Sequence, residues 1–169
     1  MATTYTPIAT TTLGSAQSSV TFSSISGSYT DLIIACSIKL VTADYPMVRI
    51  NGDSGTNYSD TSLFGNGTSV LSEIASNVNR WLLSLSGGNT QYPTASNTYN
   101  STILHFMNYS NSTTYKTMLA RSDNASRGTV AQVNLWRNTN AITSLVFSNL
   151  SGGNFDTGST FTLYGIKAA

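Results

Sequence analysis

The chain has 169 residues, of which 40% are hydrophobic and only 9% are charged, with a formal net charge of +1. Serine, threonine and asparagine make up about two residues in five, far above their usual share. A surface this neutral does not favour nucleic acid or an anionic membrane as a partner, and the ordinary apolar content argues against disorder. The length suits one domain, and the single cysteine, Cys36, excludes an intrachain disulfide.

Residues 1–18 are predicted to form an N-terminal arm or an edge strand, and residues 19–169 the main domain. The first charged side chain is Asp31. A neutral, threonine-rich segment can lie on a partner without desolvating a charge, although an ordinary first hairpin is the alternative. The N-terminus lacks the basic and apolar regions of a secretory signal, so we expect synthesis in a cytosol. The candidate partner-binding arm comprises Ala2, Thr3, Thr4, Tyr5, Thr6, Pro7 and Ile8.

Apolar residues alternate with polar ones along most of the chain. In residues 31–40, Leu32, Ile34, Cys36 and Ile38 share one face, so we expect the Cys36 thiol to be buried. Similar runs occur at 81–85, 101–109, 115–119, 130–136, 144–147 and 160–166. Turn signals rich in glycine and asparagine separate them. The pattern is typical of an all-β sandwich or barrel, with about eight to ten strands.

The best helical candidate is the segment 69–82, "SVLSEIASNVNRWL". Val70, Ile74 and Val78 recur every fourth residue, which is a helical spacing. Serine and asparagine dilute the pattern, so we expect at most one short helix here.

The stretch "NGDSGTNYS" at residues 51–59 resembles a calcium loop and contains a glycan acceptor motif. An EF-hand loop needs glycine sixth and glutamate twelfth, but counting from Asn51 these positions hold Thr56 and Ser62. N-x-S/T motifs recur throughout the chain, as its composition makes inevitable. We therefore expect a hairpin loop in which glycines set the turn and Asp53 and Asn57 bond to nearby backbone. The predicted structural turn residues are Asn51, Gly52, Asp53, Gly55 and Asn57.

The inventory for catalysis is small. His105 is the only histidine and lies within an alternating run, and the carboxylates never pair at short spacing. One cysteine and one histidine fall short of a zinc site. Trp81 and Trp136 lie in predicted strands and are expected in the core, which leaves Tyr92 as the aromatic best placed to stack on a sugar. We expect no enzymatic activity, no metal and no cofactor.

Four longer stretches are similar to a family of small virion proteins of tailed bacteriophages, including cyanophages. They are "SYTDLIIACSIK", "VRINGDSGTNYSDTSLFGNGTSV", "STILHFMNYSNSTTYKTMLARSDN" and "NAITSLVFSNLSGGNFDTGSTFTLYGIKAA", and the resemblance covers nearly all of the chain from Thr21 onward. It implies a jelly-roll-like antiparallel β-sandwich in a single domain. It also implies a place in the virion, either as a capsid decoration (cement) protein or as the head of a tail fibre. It provides no catalytic residues.

Fibre heads usually follow a long trimeric stalk, and no heptads or repeats indicate one here. We therefore expect a homotrimer that binds the major capsid protein on the outer surface of the shell and stabilises it. The alternative is a tail-fibre or other receptor-binding virion protein whose sandwich binds a surface glycan. An apolar patch around a threefold axis would favour the first role, and a groove lined by exposed aromatic residues would favour the second.

Overall fold

The computed structural model describes residues 4–83, 96, 98–124 and 126–167. The described residues form strands and no helix, which confirms the predicted all-β class. Twelve strands are present in them, more than the predicted eight to ten, and one of them, β6, lies in the segment predicted as a possible helix. The strands are β1 (Tyr5–Thr12), β2 (Ser19–Phe22), β3 (Asp31–Ile38), β4 (Pro46–Ile50), β5 (Tyr58–Gly65), β6 (Val70–Val78), β7 (Trp81–Leu82), β8 (Asn100–Met107), β9 (Lys116–Asn124), β10 (Gly128–Trp136), β11 (Leu145–Asn149) and β12 (Thr160–Ile166).

The strands form two antiparallel sheets of unequal width. The larger has eight strands in the order β1-β12-β3-β8-β9-β10-β5-β6, and the smaller has four in the order β2-β11-β4-β7. One hydrophobic core contains side chains from both sheets. The structure therefore confirms the predicted antiparallel β-sandwich in a single domain.

Alternation explains which side chains form this core. Leu32, Ile34, Cys36 and Ile38 of β3 are all buried, as the sequence predicts. Antiparallel pairing of β3 with β8 and β12 holds this face against the smaller sheet. Fully burying an aliphatic side chain of this size contributes about 1.5–3 kcal/mol, so a shift of register by one residue would be strongly unfavourable.

The segment predicted as a possible helix is instead strand β6, followed by β7. A spacing of four residues is a multiple of two as well as close to a helical turn, so Val70 and Ile74 also share one face of a strand. Pairing with β5 in register from Gly65–Val70 to Ser59–Ser76 decides between the two. Asn77, at a φ of 56°, lies beside a register irregularity at the end of this pairing.

Strand β10 buries two polar side chains and exposes an apolar one between them. Gln132 and Asn134 are 5% and 0% exposed, whereas Val133 between them is 45% exposed. The Gln132 amide donates to Ser62 Oγ of β5 over 2.9 Å, which satisfies a polar atom inside the sandwich. The larger sheet thus carries apolar side chains on its solvent face.

Candidate functional site

The loop at residues 51–59 connects the two sheets and is not a hairpin. It leaves β4 in the smaller sheet and enters β5 in the larger one, so the hairpin prediction is wrong. Asn51 and Gly52 have φ values of 52° and 70°, a left-handed pair that asparagine and glycine tolerate. The Asp53 N–H closes the turn on Ile50 O over 2.9 Å. A glycine therefore sets this turn, as expected, but the turn redirects the chain across the core.

Asp53 is the centre of the loop's hydrogen bonding. Its Oδ1 accepts from the Gly55 N–H over 2.8 Å, and its Oδ2 accepts from the Asn57 amide over 2.9 Å and from the Trp136 indole over 2.7 Å. The bond to Gly55 is the local backbone contact expected of Asp53, but Asn57 bonds to the carboxylate and not to backbone. Because protein donors occupy both oxygens, the arrangement is that of a structural turn.

The pKa of Asp53 reflects these bonds. Partial burial acts to raise the pKa, but the donors from Trp136, Asn57 and Gly55 outweigh it and hold the pKa below the ordinary carboxyl value. The carboxylate is therefore charged at neutral pH. Charge-assisted hydrogen bonds of this kind are stronger than neutral ones.

Asn51 and Arg137 tie the same loop to the chain after β10. Asn51 donates to Ala141 O over 2.8 Å and accepts from the Thr143 N–H over 2.8 Å. Arg137 donates to Ser59 Oγ over 2.7 Å and to Thr56 O over 2.8 Å. Residues 51–59 therefore form a rigid joint between sheets.

His105 and Cys36 are the side chains best suited to acid–base or nucleophilic chemistry, but both occupy structural positions. His105 Nε2 lies 3.0 Å from Asp31 Oδ2, and Asp31 Oδ1 accepts from the Asn108 N–H over 2.8 Å. This pair links β8 to the start of β3. Burial raises the pKa of the Cys36 thiol well above its ordinary value, which leaves little nucleophilic thiolate.

Two of the three aromatic residues named from the sequence also have structural positions. Trp81 and Trp136 are buried, as predicted for strand residues, and each donates its indole N–H to a protein oxygen. Tyr92 lies outside the described residues.

Over the ranges that the structure covers, no three His, Cys, Asp or Glu side chains come together as a metal-ligand group. No helix of the described chain has the length and apolar character needed to cross a bilayer.

The candidate arm forms the edge of the larger sheet. Ala2 and Thr3 lie outside the described residues, and Thr4 precedes the strand. Tyr5, Thr6, Pro7 and Ile8 belong to β1, which pairs with β12 and has an irregularity between Pro7 and Ala9. The Ile8 side chain packs on the core, and Tyr5 is 54% exposed. The described part of the arm is thus an edge strand of its own subunit.

The outer face of the larger sheet carries the most unusual feature of the molecule. Five large apolar side chains point to solvent from five neighbouring strands, with exposed fractions between 44% and 73%. We call this set the outer apolar patch. It comprises Ile103 (β8), Leu119 (β9), Val133 (β10), Leu63 (β5) and Ile74 (β6).

The strand registers make the patch continuous. Val133 lies directly opposite Leu119, and both Ile103 and Leu63 are diagonal neighbours in this row. Ile74 is diagonal to Leu63 across the β5–β6 pair. Direct partners have Cβ atoms about 5 Å apart and diagonal partners about 7–8 Å apart. A depression of about 420 Å³ is lined by Leu63, Leu119 and Val133 among others.

The sequence predictions did not identify this patch, although a signal for it exists. An antiparallel sheet with one solvated face normally alternates apolar and polar side chains. The runs "STILHFM" and "VAQVNLW" instead place apolar residues at both odd and even positions. In such two-sided apolar strands, burying one face in the core leaves apolar side chains on the other, as Ile103 and Val133 show.

Two comparisons with known proteins complete this description. No protein-family model matches the chain, and no curated protein is similar to it.

Proposed function

We propose that this protein is a structural protein of a tailed-phage virion, in which it serves as a capsid decoration (cement) protein. In this role it forms a homotrimer, binds the major capsid protein on the outer surface of the shell and stabilises the shell. The proposal assigns it no enzymatic reaction, and its location is the virion, after synthesis in the host cytoplasm. The outer apolar patch is the observation that carries the proposal.

The patch supports a role in permanent assembly because it is costly in an isolated subunit. Val133, Leu119 and Ile103 are 44–46% exposed, and Ile74 is 73% exposed. Removing apolar surface from water contributes about 25 cal/mol per Å², so covering these side chains would strongly favour association. Their strands are held by neighbours on both sides or, for β6, by the eight-residue strand β5, so the face is presented on a rigid support.

The neutral surface supports the same role. With 9% charged residues and a net charge of +1, contacts with a shell would be apolar and hydrogen-bonded. Serine and threonine hydroxyls supply donors and acceptors without the desolvation cost of full charges. A decoration protein must remain bound through changes of ionic conditions, which such contacts allow.

A receptor-binding role in the virion is the second candidate, and one observation favours it. A cleft of about 520 Å³ lies between the β5–β6 and β9–β10 turns and is lined by Asn66, Asp123 and Arg127 among others. Such side chains suit a sugar. However, Asn66 Oδ1 already accepts from the Thr68 and Ser69 N–H groups over 3.0 and 2.8 Å, so a glycan would compete with the turn's own bonds.

Antibody labelling of intact virions tests the proposal. We expect gold-labelled antibodies against the protein to bind the head, and a virion map to show it at threefold positions of the shell. Labelling of the tail tip would contradict the decoration role and favour the receptor-binding alternative. In that case, titration with host surface glycans should perturb the resonances of Asn66 and Arg127.

A further inference from the structure

We propose that the outer apolar patch is the surface through which copies of this protein bind one another. The partner is a second copy of the chain, contacting the outer face of β5, β6, β8, β9 and β10. The inference rests on the proposed function for the expected number of copies, three. The surface itself is inferred from its area, its charges and the two edges of the sheet.

The area of the patch matches the apolar centre of a specific interface. Five strands about 4.8 Å apart, over about five residues of 3.4 Å each, cover on the order of 400 Å². A standard interface needs about 800 Å² from each partner, of which roughly 60% is apolar. The patch would form the apolar centre of the contacts, and partly exposed side chains beside it, such as Thr117, would supply the remaining area.

The charges on this face are complementary to a copy of themselves. Arg121 Nε lies 3.0 Å from Asp123 Oδ2, which brings together opposite signs, and His105 Nε2 lies 3.0 Å from Asp31 Oδ2. A face with charges of one sign would repel its copy, whereas Arg121 of one subunit can approach Asp123 of the next. Arg121 is the more available of the two, with 65% of its side chain exposed.

The two edges of the larger sheet favour contact on the β6 side. Strand β1 contains Pro7 and a register irregularity, both of which protect an edge from further pairing. Strand β6 has nine residues without proline, pairs in the described chain with β5 alone, and exposes Val70 and Ile74 by 72% and 73%. In a threefold arrangement, the Leu63–Ile74 half of one patch would meet the Ile103–Leu119 half of the next, which closes the ring.

Charged substitutions within the patch test this inference. Leu119→Glu and Ile74→Glu place a carboxylate at outward positions, where the folded subunit alone should tolerate it. Thr21→Glu is the matched control, because Thr21 is an exposed outward position on the smaller sheet. Leu119→Thr is a second variant, to be used if Leu119→Glu fails to fold. Threonine favours a β-strand but lacks the apolar bulk of leucine. Mass by light scattering and by sedimentation, together with circular dichroism, would be measured over a range of concentrations.

We expect the unchanged protein and Thr21→Glu to be trimers. Leu119→Glu and Ile74→Glu should be folded monomers, and Leu119→Thr should self-associate at least about tenfold more weakly. A monomeric unchanged protein, or a Leu119→Glu variant that stays trimeric, would overturn the inference. If the unchanged protein is a monomer and Leu119→Glu fails to bind capsids, the inference is also wrong, and the patch is the capsid-binding surface. Virion labelling is independent of these results, so failure of the proposed function would be seen separately.

Discussion

The Asp53 carboxylate fixes the loop that connects the two sheets. Its carboxylate accepts from Gly55 and Asn57 within the loop and from the Trp136 indole of β10. Trp136 is itself buried, so the loop is attached to the hydrophobic core. A charged acceptor strengthens all three bonds, and their loss should therefore affect the stability of the whole domain.

We expect Asp53→Asn to lower the free energy of unfolding by about 1–3 kcal/mol. The amide of asparagine has one acceptor oxygen and would direct its own N–H groups toward the Asn57 or Trp136 donor. Urea denaturation followed by tryptophan fluorescence measures the change. Asp156→Asn is the control, because its partner Lys39 lies 2.9 Å away on the surface, where ion pairs contribute little. Equal losses in the two variants would contradict the special role of Asp53.

The contribution of Asp53 should also depend on pH. Burial alone would raise its pKa, but bonds from Trp136, Asn57 and Gly55 lower it in the folded state. An unfolded aspartate titrates near about 3.9. The stabilisation is therefore complete above that pH and is lost as pH falls through the lower folded pKa. The urea midpoints of the unchanged protein and of Asp53→Asn should differ by a constant amount from about pH 5 to 7 and converge below about pH 4. A difference that persists in strong acid would exclude the titration of Asp53 as its cause.

At the scale of elements, most strands could be predicted from alternation, but the buried side of a strand with apolar residues on both faces could not. The face of β3 formed by Leu32, Ile34, Cys36 and Ile38 is buried as its alternation predicts. Strand β6 was misread because a spacing of four residues satisfies both a strand and a helix. Its pairing with β5, a tertiary contact, determines the outcome.

The order of the strands in the sheets cannot be predicted from local sequence. The stretch at 51–59 encodes a tight turn, and Asn51 and Gly52 adopt the backbone that this turn requires. It does not encode which sheet the next strand joins, because that depends on where β10 and Arg137 offer partners. The left-handed turn at Asn51 and Gly52 therefore follows from local sequence, whereas the connection between the two sheets depends on tertiary contacts.

Deleting residues 1–12 should lower the stability of the sandwich without unfolding it. The deletion removes the pairing of β1 with β12 and the contact of Ile8 with the core. Strand β12 would keep its pairing with β3, so the fold should persist with a lower urea midpoint. Deleting residues 1–3, which precede β1, is the control and should leave the midpoint unchanged. An unaltered midpoint in the longer deletion would mean that the segment serves only a partner.

For the whole molecule, exposure of the outer apolar patch explains why the fold could be read from the sequence more fully than the site. Burial alternates along most of β10, but apolar character does not follow this alternation. Its Gln132 and Asn134 are inside and its Val133 is outside. The proposed contact between copies would cover this outer side, and alternation within one chain does not indicate how two copies face each other.

The assembled protein should therefore resist salt. Raising the ionic strength from about 0.1 M to 1 M shortens the screening length from about 10 Å to about 3 Å, which weakens exposed ion pairs but leaves apolar burial intact. If Leu119, Val133 and Ile74 carry the association, the mass measured by light scattering should be the same at both salt concentrations. If the Arg121–Asp123 pair carries it across the interface instead, the complex should dissociate in high salt. In that case Arg121→Gln should reproduce the dissociation at low salt, whereas under the apolar interpretation this variant should remain assembled.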